Sequence, residues 1–82
     1  MKKEVSIIIV NYKTPILLKA CVSSIYEHTK GIDFEVIIID NDSRDNSKEL
    51  IISQFQNVLW IDSPQNIGFG RANNIGIKEA KG

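Results

Sequence analysis

Residues 36–45 read VIIIDNDSRD, an apolar run that ends at Asp40 and continues directly into five further polar positions. A continuous run of β-branched residues is typical of a strand that is buried on both faces of a parallel sheet. Open α/β sheets bind their ligands at the carboxyl ends of such strands. We therefore interpret Asp40 as the point where the chain leaves a buried strand and enters a ligand-binding edge.

Two other segments have the same character and predict two more strands. Residues 5–10 read VSIIIV, residues 57–62 read NVLWID, and the middle strand covers residues 34–40, FEVIIID. Helical segments separate and follow these strands, so the order is βαβαβα. This order predicts an α/β fold with right-handed crossovers, a Rossmann-like three-layer α/β/α arrangement around a parallel sheet.

The first helix has a clear start and a clear stop. Thr14 is placed as its N-cap and Pro15 as its first helical residue, and Gly31 is placed at its end. Helical spacing predicts one apolar stripe that faces the core, and it places Cys21 in that core. The predicted stripe consists of Ile16, Leu17, Ala20, Cys21, Ser24 and Ile25.

The other two helices are marked by caps and glycines. Asp45 or Ser47 is the expected cap of a short second helix, and a third helix is expected from near Gly68 to Ala80. Gly76 lies inside that third helix and weakens its intrinsic propensity by about 1 kcal/mol.

Composition narrows the function classes. The chain has 82 residues, which is room for one small domain, and its ten Lys and Arg balance ten Asp and Glu. Zero net charge gives no electrostatic case for nucleic acid or an anionic membrane surface, and no apolar run approaches the roughly 18 residues of a membrane span. Cys21 is the only cysteine, so a disulfide framework is excluded and a cytoplasmic location is expected.

Three polar loops follow the three strands and are expected to converge on one edge of the sheet. Asp40 could accept hydrogen bonds from a ribose or a flat polar ring, and Tyr12 could stack on a base. Asn11 offers both a donor and an acceptor for a base edge. The segment GFGRANN, residues 68–74, places glycines before a helix N-terminus, where free N–H groups favour phosphate, and Arg71 could add positive charge.

Each of these residues also has a simpler explanation. Polar residues after a strand are commonly turn residues, and loop shaping is the simpler role for Asp42 and Ser43. GFGRAN matches a dinucleotide-binding fingerprint weakly, since it follows the third strand and has asparagine near the last glycine position. The sequence shows no Ser–His–Asp arrangement and no metal-ligand spacing.

Taken together, the loops resemble a known family. The segments VSIIIVNYKTPILLKACVSSI, FEVIIIDNDSRDNS and NIGFGRANNIGIKEAKG resemble the N-terminal half of family 2 glycosyltransferases, GT-A fold enzymes that use nucleotide-activated sugars. The form NIGFGRANNIGI is most similar to the rhamnosyltransferase-like branch of cell-surface polysaccharide synthesis. The resemblance implies transfer of a sugar from a UDP- or dTDP-type donor to an acceptor.

The resemblance also implies roles for individual residues. It implies that Val10, Asn11 and Tyr12 line the nucleobase pocket, and that Asp40 hydrogen-bonds the base. The remaining residues are expected beside the nucleotide. They are Asp42, Asn66, Gly68, Arg71 and Asn74. Many family members have arginine where this chain has Asn73, so a nucleotide contact by Arg71, two positions earlier, departs from the family pattern.

In the family, the Asp-x-Asp motif that holds Mg²⁺ or Mn²⁺ follows the next strand, which the resemblance places after Gly82, and the catalytic base lies later still. We therefore expect residues 1–82 to be the N-terminal part of a single GT-A domain, with no catalytic residue and no activity alone. Residues 5–10 would form an open apolar edge and favour self-association.

Three other functions stay open at this point. One is a small regulatory α/β module that binds a nucleotide or resembles a receiver domain. Receiver-type chemistry requires acidic residues after the first strand, where this chain has Asn11 and Tyr12. An NAD-binding half-domain would need an acidic residue after the following strand. A non-catalytic oligomerising module would bind no nucleotide.

Overall fold

Three parallel strands form an open sheet in the order β1 (Val5–Asn11), β2 (Phe34–Asp40), β3 (Val58–Asp62). The structure is a computed structural model that describes residues 3–55, 57–63 and 65–82. Helices α1 (Pro15–His28), α2 (Ser47–Ile52) and α3 (Phe69–Glu79) alternate with the strands. The predicted α/β fold is confirmed. Pro64, which follows β3 in the sequence, lies outside the described residues.

The central strand β2 explains why its sequence is apolar without alternation. Val36 and Ile38 pack on one face of the sheet against α1 and α2, while Ile37 and Ile39 pack on the other face against α3. All four side chains are fully buried. Because successive strand residues point to opposite faces, a strand covered by helices on both sides is apolar at each position that the helices cover, here residues 36–39.

The face of α1 that meets the sheet differs from the predicted stripe. Leu18 and Val22 are buried, whereas Ile16 and Leu17 are 80% and 71% exposed and Cys21 is exposed. The prediction that Cys21 lies in the core is therefore wrong. The first turns of α1 are apolar on two sides, so spacing alone could not choose between the predicted stripe and the side that carries Leu18 and Val22.

The prediction of Thr14 as the N-cap of α1 is confirmed, whereas the prediction of Asp45 or Ser47 as the N-cap of α2 is wrong. Thr14 is the N-cap of α1, but its hydroxyl donates to Asn11 Oδ1 (3.1 Å) rather than to the helix. Asn46 is the N-cap of α2, and the Asp45 carboxylate accepts the backbone N–H of Ser47 (2.9 Å). Gly68 precedes α3 in the left-handed region, with φ of 84°.

Gly76 is buried where α3 crosses the sheet. A Cβ at this position would lie 2.5 Å from Ile8 Cγ2 and 2.7 Å from Ile39 Cδ1. The glycine that weakens the helix in isolation therefore allows α3 to approach β1 and β2 closely.

Glu35 joins the segment after α3 to the beginning of β1. Its Oε2 accepts the Ser6 hydroxyl (2.6 Å) and the Lys81 backbone N–H (2.6 Å), and the Gly82 N–H donates to Ser6 Oγ (2.7 Å). The hydrogen bond from Ser6, followed by that from Lys81, lowers the pKa of Glu35 below its ordinary value of 4.5.

This lowered pKa predicts a dependence of stability on pH. Because the folded pKa is below the unfolded one, the carboxylate stabilises the fold above pH 4.5 and loses this contribution as the pH falls through the folded pKa. We expect Glu35→Gln to unfold at lower denaturant concentration than the wild type near neutral pH, with the difference shrinking in acid. Urea unfolding between about pH 6 and about pH 3 measures this, with Glu27→Gln on the exposed side of α1 as control. An unchanged difference across that range would contradict it.

None of the helices within the described ranges is long and apolar enough to cross a membrane.

Candidate functional site

The three loops meet at the carboxyl edge of the sheet, as the sequence predicted. The strand register pairs Asn11 with Asp40 and Asp40 with Asp62. Beyond the strands, the Asn41 N–H donates to the Asn11 carbonyl (2.8 Å) and the Ser63 N–H donates to the Asp40 carbonyl (2.9 Å). The backbone ladder therefore continues one residue past each strand end and holds the loops side by side.

Asp40 is the centre of a buried hydrogen-bond network. Its Oδ1 accepts Asn11 Nδ2 (2.8 Å) and the Ser43 hydroxyl (2.6 Å), and its Oδ2 accepts the Ser43 N–H (3.3 Å). The residue is only 9% exposed. An ionised carboxylate offers about four acceptor sites, so these three bonds orient the group and leave capacity for a ligand.

Asn11 supports Asp40 from the end of β1. Its side chain is 1% exposed, and its Oδ1 accepts the Thr14 hydroxyl while its Nδ2 also contacts Ser43 Oγ (3.3 Å). The amide thus has partners on both sides within the protein. Its predicted direct contact with a base stays a prediction.

Val10 and Tyr12 lie on either side of Asn11 with opposite exposures. Val10 is partly buried and packs with the cluster beneath α3. Tyr12 is 43% exposed, and the Lys13 ammonium lies 5.2 Å from the centroid of its ring. An exposed aromatic face beside Asp40 is available for stacking, and the adjacent cation adds positive charge.

The loop before α3 is attached to the other loops through Asn66. Its Oδ1 accepts Asn41 Nδ2 (2.9 Å) and the Gly68 N–H (2.9 Å). No side chain within the described residues caps the first turn of α3. Its first N–H groups therefore carry the partial positive charge of a helix N-terminus, with no side-chain acceptor from residues 3–55, 57–63 or 65–82.

Arg71 and Asn74 lie three positions apart in the first half of α3 and are exposed. Helical geometry places residues three apart on the same side of a helix. The structure therefore puts both on the solvent side of the helix that begins at Gly68. Their predicted nucleotide contacts stay predictions.

Among the described residues other than glycine, three have left-handed backbone conformations, and all three are in these loops. They are Lys13, Asp42 and Arg44, with φ of 54°, 65° and 55°. Such conformations are disfavoured for residues with a Cβ and gather at functional sites. Asp42 Oδ1 accepts Arg44 Nε (2.9 Å), a contact that favours the loop-shaping role of Asp42. Its predicted nucleotide contact stays a prediction.

Sequence reasoning underestimated Ser43 and missed Asn41. Ser43 is 2% exposed and links Asp40 to the Lys13 N–H (2.8 Å), while Asn41 is 4% exposed. The N–H and the hydroxyl of Ser43 both donate to the carboxylate of Asp40, three residues earlier, so this short spacing was a usable local signal. The partners of Asn41 are 25 and 26 residues away, and no local pattern indicates them.

Two other features lie outside this network. At the same edge, Asp62 accepts hydrogen bonds from Trp60 Nε1 (2.8 Å) and Lys48 Nζ (3.1 Å). These contacts lower the pKa of Asp62, and the bond from tryptophan contributes most.

At the opposite end of the sheet a groove of about 550 Å³ is lined in part by Tyr26, Asp33 and Glu35. Within residues 3–55, 57–63 and 65–82 no three His, Cys, Asp or Glu side chains are grouped to hold a metal ion.

The chain is similar in sequence or in fold to several known proteins. The chain is 29% identical to a teichoic acid poly(glycerol phosphate) polymerase of Staphylococcus epidermidis, over an alignment that covers 95% of this chain and 11% of that protein. The fold matches a mannosyltransferase, PcManGT from Pyrobaculum calidifontis, in complex with GDP-Man and Mn²⁺, with a TM-score of 0.84 at 20% identity. It also matches TarS of S. aureus, with a TM-score of 0.68 at 24% identity.

The two structural matches cover 98% and 100% of this chain and 25% of each solved chain. At these identities they establish the fold and nothing finer. The model of glycosyl transferase family 2 matches residues 6–82, almost the whole chain. The chain therefore belongs to glycosyl transferase family 2.

Proposed function

We propose that the carboxyl edge of the sheet binds the nucleotide diphosphate of a nucleotide-sugar donor. The observation that carries this proposal is the network that joins Asp40, Asn11 and Ser43 and continues through Asn41 to the loop before α3. It gathers a fixed carboxylate, an exposed aromatic ring and a free helix N-terminus at one edge. Each suits a different part of a nucleotide.

The nucleoside belongs at the β1 and β2 ends of the site. Asp40 has acceptor capacity for an imino N–H of a base or for ribose hydroxyls, and Tyr12 offers a stacking face. The diphosphate belongs at the β3 end. There the N–H groups after Gly68 attract negative charge, and Arg71 lies on the first turns of α3.

The donor is a UDP-, dTDP- or GDP-type sugar. The sequence resemblance implies the first two, and the GDP-Man bound to PcManGT adds the third as a candidate for this chain. A role in cell-surface polymer synthesis is supported by the relative named as a teichoic acid polymerase. Membership in the rhamnosyltransferase-like branch stays a prediction.

A divalent metal belongs to the proposed reaction, since Mn²⁺ accompanies the donor in PcManGT. Such an ion neutralises charge on a departing diphosphate. The described residues lack a group of three ligands, so we assign metal binding to none of them. We propose that these 82 residues are the nucleotide-binding part of a larger, cytoplasmic glycosyltransferase domain, and we expect no sugar transfer by them alone.

Titration calorimetry with UDP, dTDP, GDP and NAD tests the nucleotide proposal. We expect one nucleoside diphosphate to bind with a stoichiometry near one, and NAD to bind more weakly. Binding of NAD alone would indicate a dinucleotide site instead. Binding of none of the four would contradict the proposal and favour a non-catalytic module.

We also propose that the protein self-associates through β1. In the described sheet β1 has a strand partner on one side, and Val5 at its beginning is 40% exposed. An apolar edge strand is a template for pairing with a second copy. Sedimentation velocity should show association that increases with concentration, and Val5→Lys should weaken it.

The matched control is Leu59→Lys, which adds the same charge to β3 at a side chain that is 44% exposed. We expect this variant to associate as the wild type does. A wild-type protein that stays monomeric at the highest concentration would contradict the proposal.

A further inference from the structure

Asn41 forms hydrogen bonds with both neighbouring loops of the site, the loop after β1 and the loop before α3. Its backbone N–H donates to the Asn11 carbonyl (2.8 Å), its Nδ2 donates to Asn66 Oδ1 (2.9 Å), and its Oδ1 accepts the Ile67 N–H (2.9 Å). The side chain is 4% exposed and spans two loops that lie 25 residues apart.

The orientation of this amide follows from its neighbours. The Ile67 N–H is a donor, so it must face the oxygen of Asn41 and not the nitrogen. Asn66 Oδ1 also accepts the Gly68 N–H, so it must be an oxygen and must face the nitrogen of Asn41. Two independent backbone donors therefore determine both amides.

The contacts of Asn41 fix the segment that leads into α3. Among the described hydrogen bonds, those that join residues 65–68 to another loop are both made by the Asn41 side chain. Asn66 Oδ1 in turn accepts the N–H of Gly68, the N-cap of α3, whose φ is 84°. Asn41 thereby sets where the free N–H groups of α3 stand relative to Asp40.

We propose that Asn41 is a positioning residue for the nucleotide diphosphate. It holds the part of the site suited to the base and the part suited to the diphosphate as one rigid unit. This inference rests on the proposed nucleotide-binding function. A ligand that spans both parts gains from their fixed separation, because the protein then loses less freedom on binding.

Asn41→Asp separates this role from simple packing. The substitution preserves shape and keeps an acceptor for the Ile67 N–H, but it replaces the donor to Asn66 with an oxygen. If Asn66 rotates its amide to restore that bond, it withdraws the acceptor from the Gly68 N–H. Asn57→Asp is the matched control, since Asn57 is exposed beside the opposite end of the sheet.

The measurement combines amide-correlation NMR of the free protein with calorimetric titration by UDP, dTDP and GDP. For Asn41→Asp we expect a dispersed spectrum with displaced Ile67 and Gly68 signals. We expect the affinity for the bound nucleotide to fall about tenfold, equivalent to about 1.4 kcal/mol. Asn57→Asp should retain both the wild-type signals and the wild-type affinity.

The outcomes are distinct. If the wild-type protein binds a nucleotide and Asn41→Asp binds it with the same affinity, the positioning role is overturned and the proposed function still holds. A wild-type protein that binds none of the three nucleotides would overturn both. If Asn41→Asp does not fold, Asn66→Ala removes the same hydrogen bond, between the Asn41 and Asn66 side chains, at the exposed partner. Unchanged Ile67 and Gly68 signals in that variant would overturn the inference.

Discussion

Replacing Asp40 by alanine is expected to abolish nucleotide binding and to lower the free energy of unfolding by about 2–4 kcal/mol. The stability loss arises because Asn11 Nδ2 and two donors of Ser43 lose a buried acceptor. Buried donors without partners are costly, since unfolding returns them to water. Urea unfolding and titration calorimetry measure the two effects separately.

Two other variants show how large the stability loss in Asp40→Ala is by comparison. Asp40→Asn keeps an acceptor for Asn11 and the Ser43 hydroxyl but faces the Ser43 N–H with a nitrogen, so we expect an intermediate loss. Asp62→Ala removes a carboxylate at the same edge whose partners are exposed, and it should cost less than about 1 kcal/mol. Equal costs for Asp40→Ala and Asp62→Ala would contradict the described network.

Gly76→Val is expected to lower the free energy of unfolding by about 3 kcal/mol, with Gly76→Ala costing about 1–2 kcal/mol. Even a single added carbon would lie within 2.7 Å of both Ile8 and Ile39. Ile8 Cγ2 is held by the branch at its Cβ and moves only if the whole side chain changes rotamer. The gain in helix propensity, about 1 kcal/mol, offsets only part of this strain.

Gly70→Ala is the matched control in the same helix. A Cβ at Gly70 meets nothing within 4 Å, so only the gain in helix propensity remains. We expect this variant to be more stable by up to about 1 kcal/mol. If Gly70→Ala and Gly76→Ala change stability in the same direction, the close approach of α3 to the sheet is wrong. Thermal and urea unfolding both report the sign.

The sequence predicted the strands and the edge of the sheet at which their loops meet, because the signals for both are short stretches of sequence. The run at residues 36–39 ends at Asp40, and the structure ends β2 at the same residue. The edge followed from topology, since parallel strands bring their carboxyl ends together. No knowledge of long-range contacts was needed for either.

The inward face of α1 and the role of Gly76 were not predictable in this way. Apolar residues occupy two sides of α1, and only packing against the sheet shows that Leu18 and Val22 face inward. Gly76 reads as a weak point in a helix until Ile8 and Ile39 are placed against it. Both depend on contacts between elements that are distant in sequence.

The sequence predicted where the candidate site lies, but it did not predict the hydrogen bonds that join its loops. Asp40 was identified from its position at a strand end. Asn41 and Ser43 were not, because their importance lies in hydrogen bonds that cross between loops. A pattern of residue types indicates which groups can bind a ligand, but it does not show which groups hold the others in place.

An amide-correlation NMR titration of the labelled protein with UDP, dTDP and GDP tests nucleotide binding at the carboxyl edge most directly. We expect saturable shifts at this edge, centred on Asn11, Asp40, Ser43 and Gly68. We also expect that the signals of Asp33 and Glu35, which line the groove at the opposite end of the sheet, stay in place. A dispersed spectrum that ignores all three nucleotides, or that shifts only at that groove, would contradict nucleotide binding at the carboxyl edge.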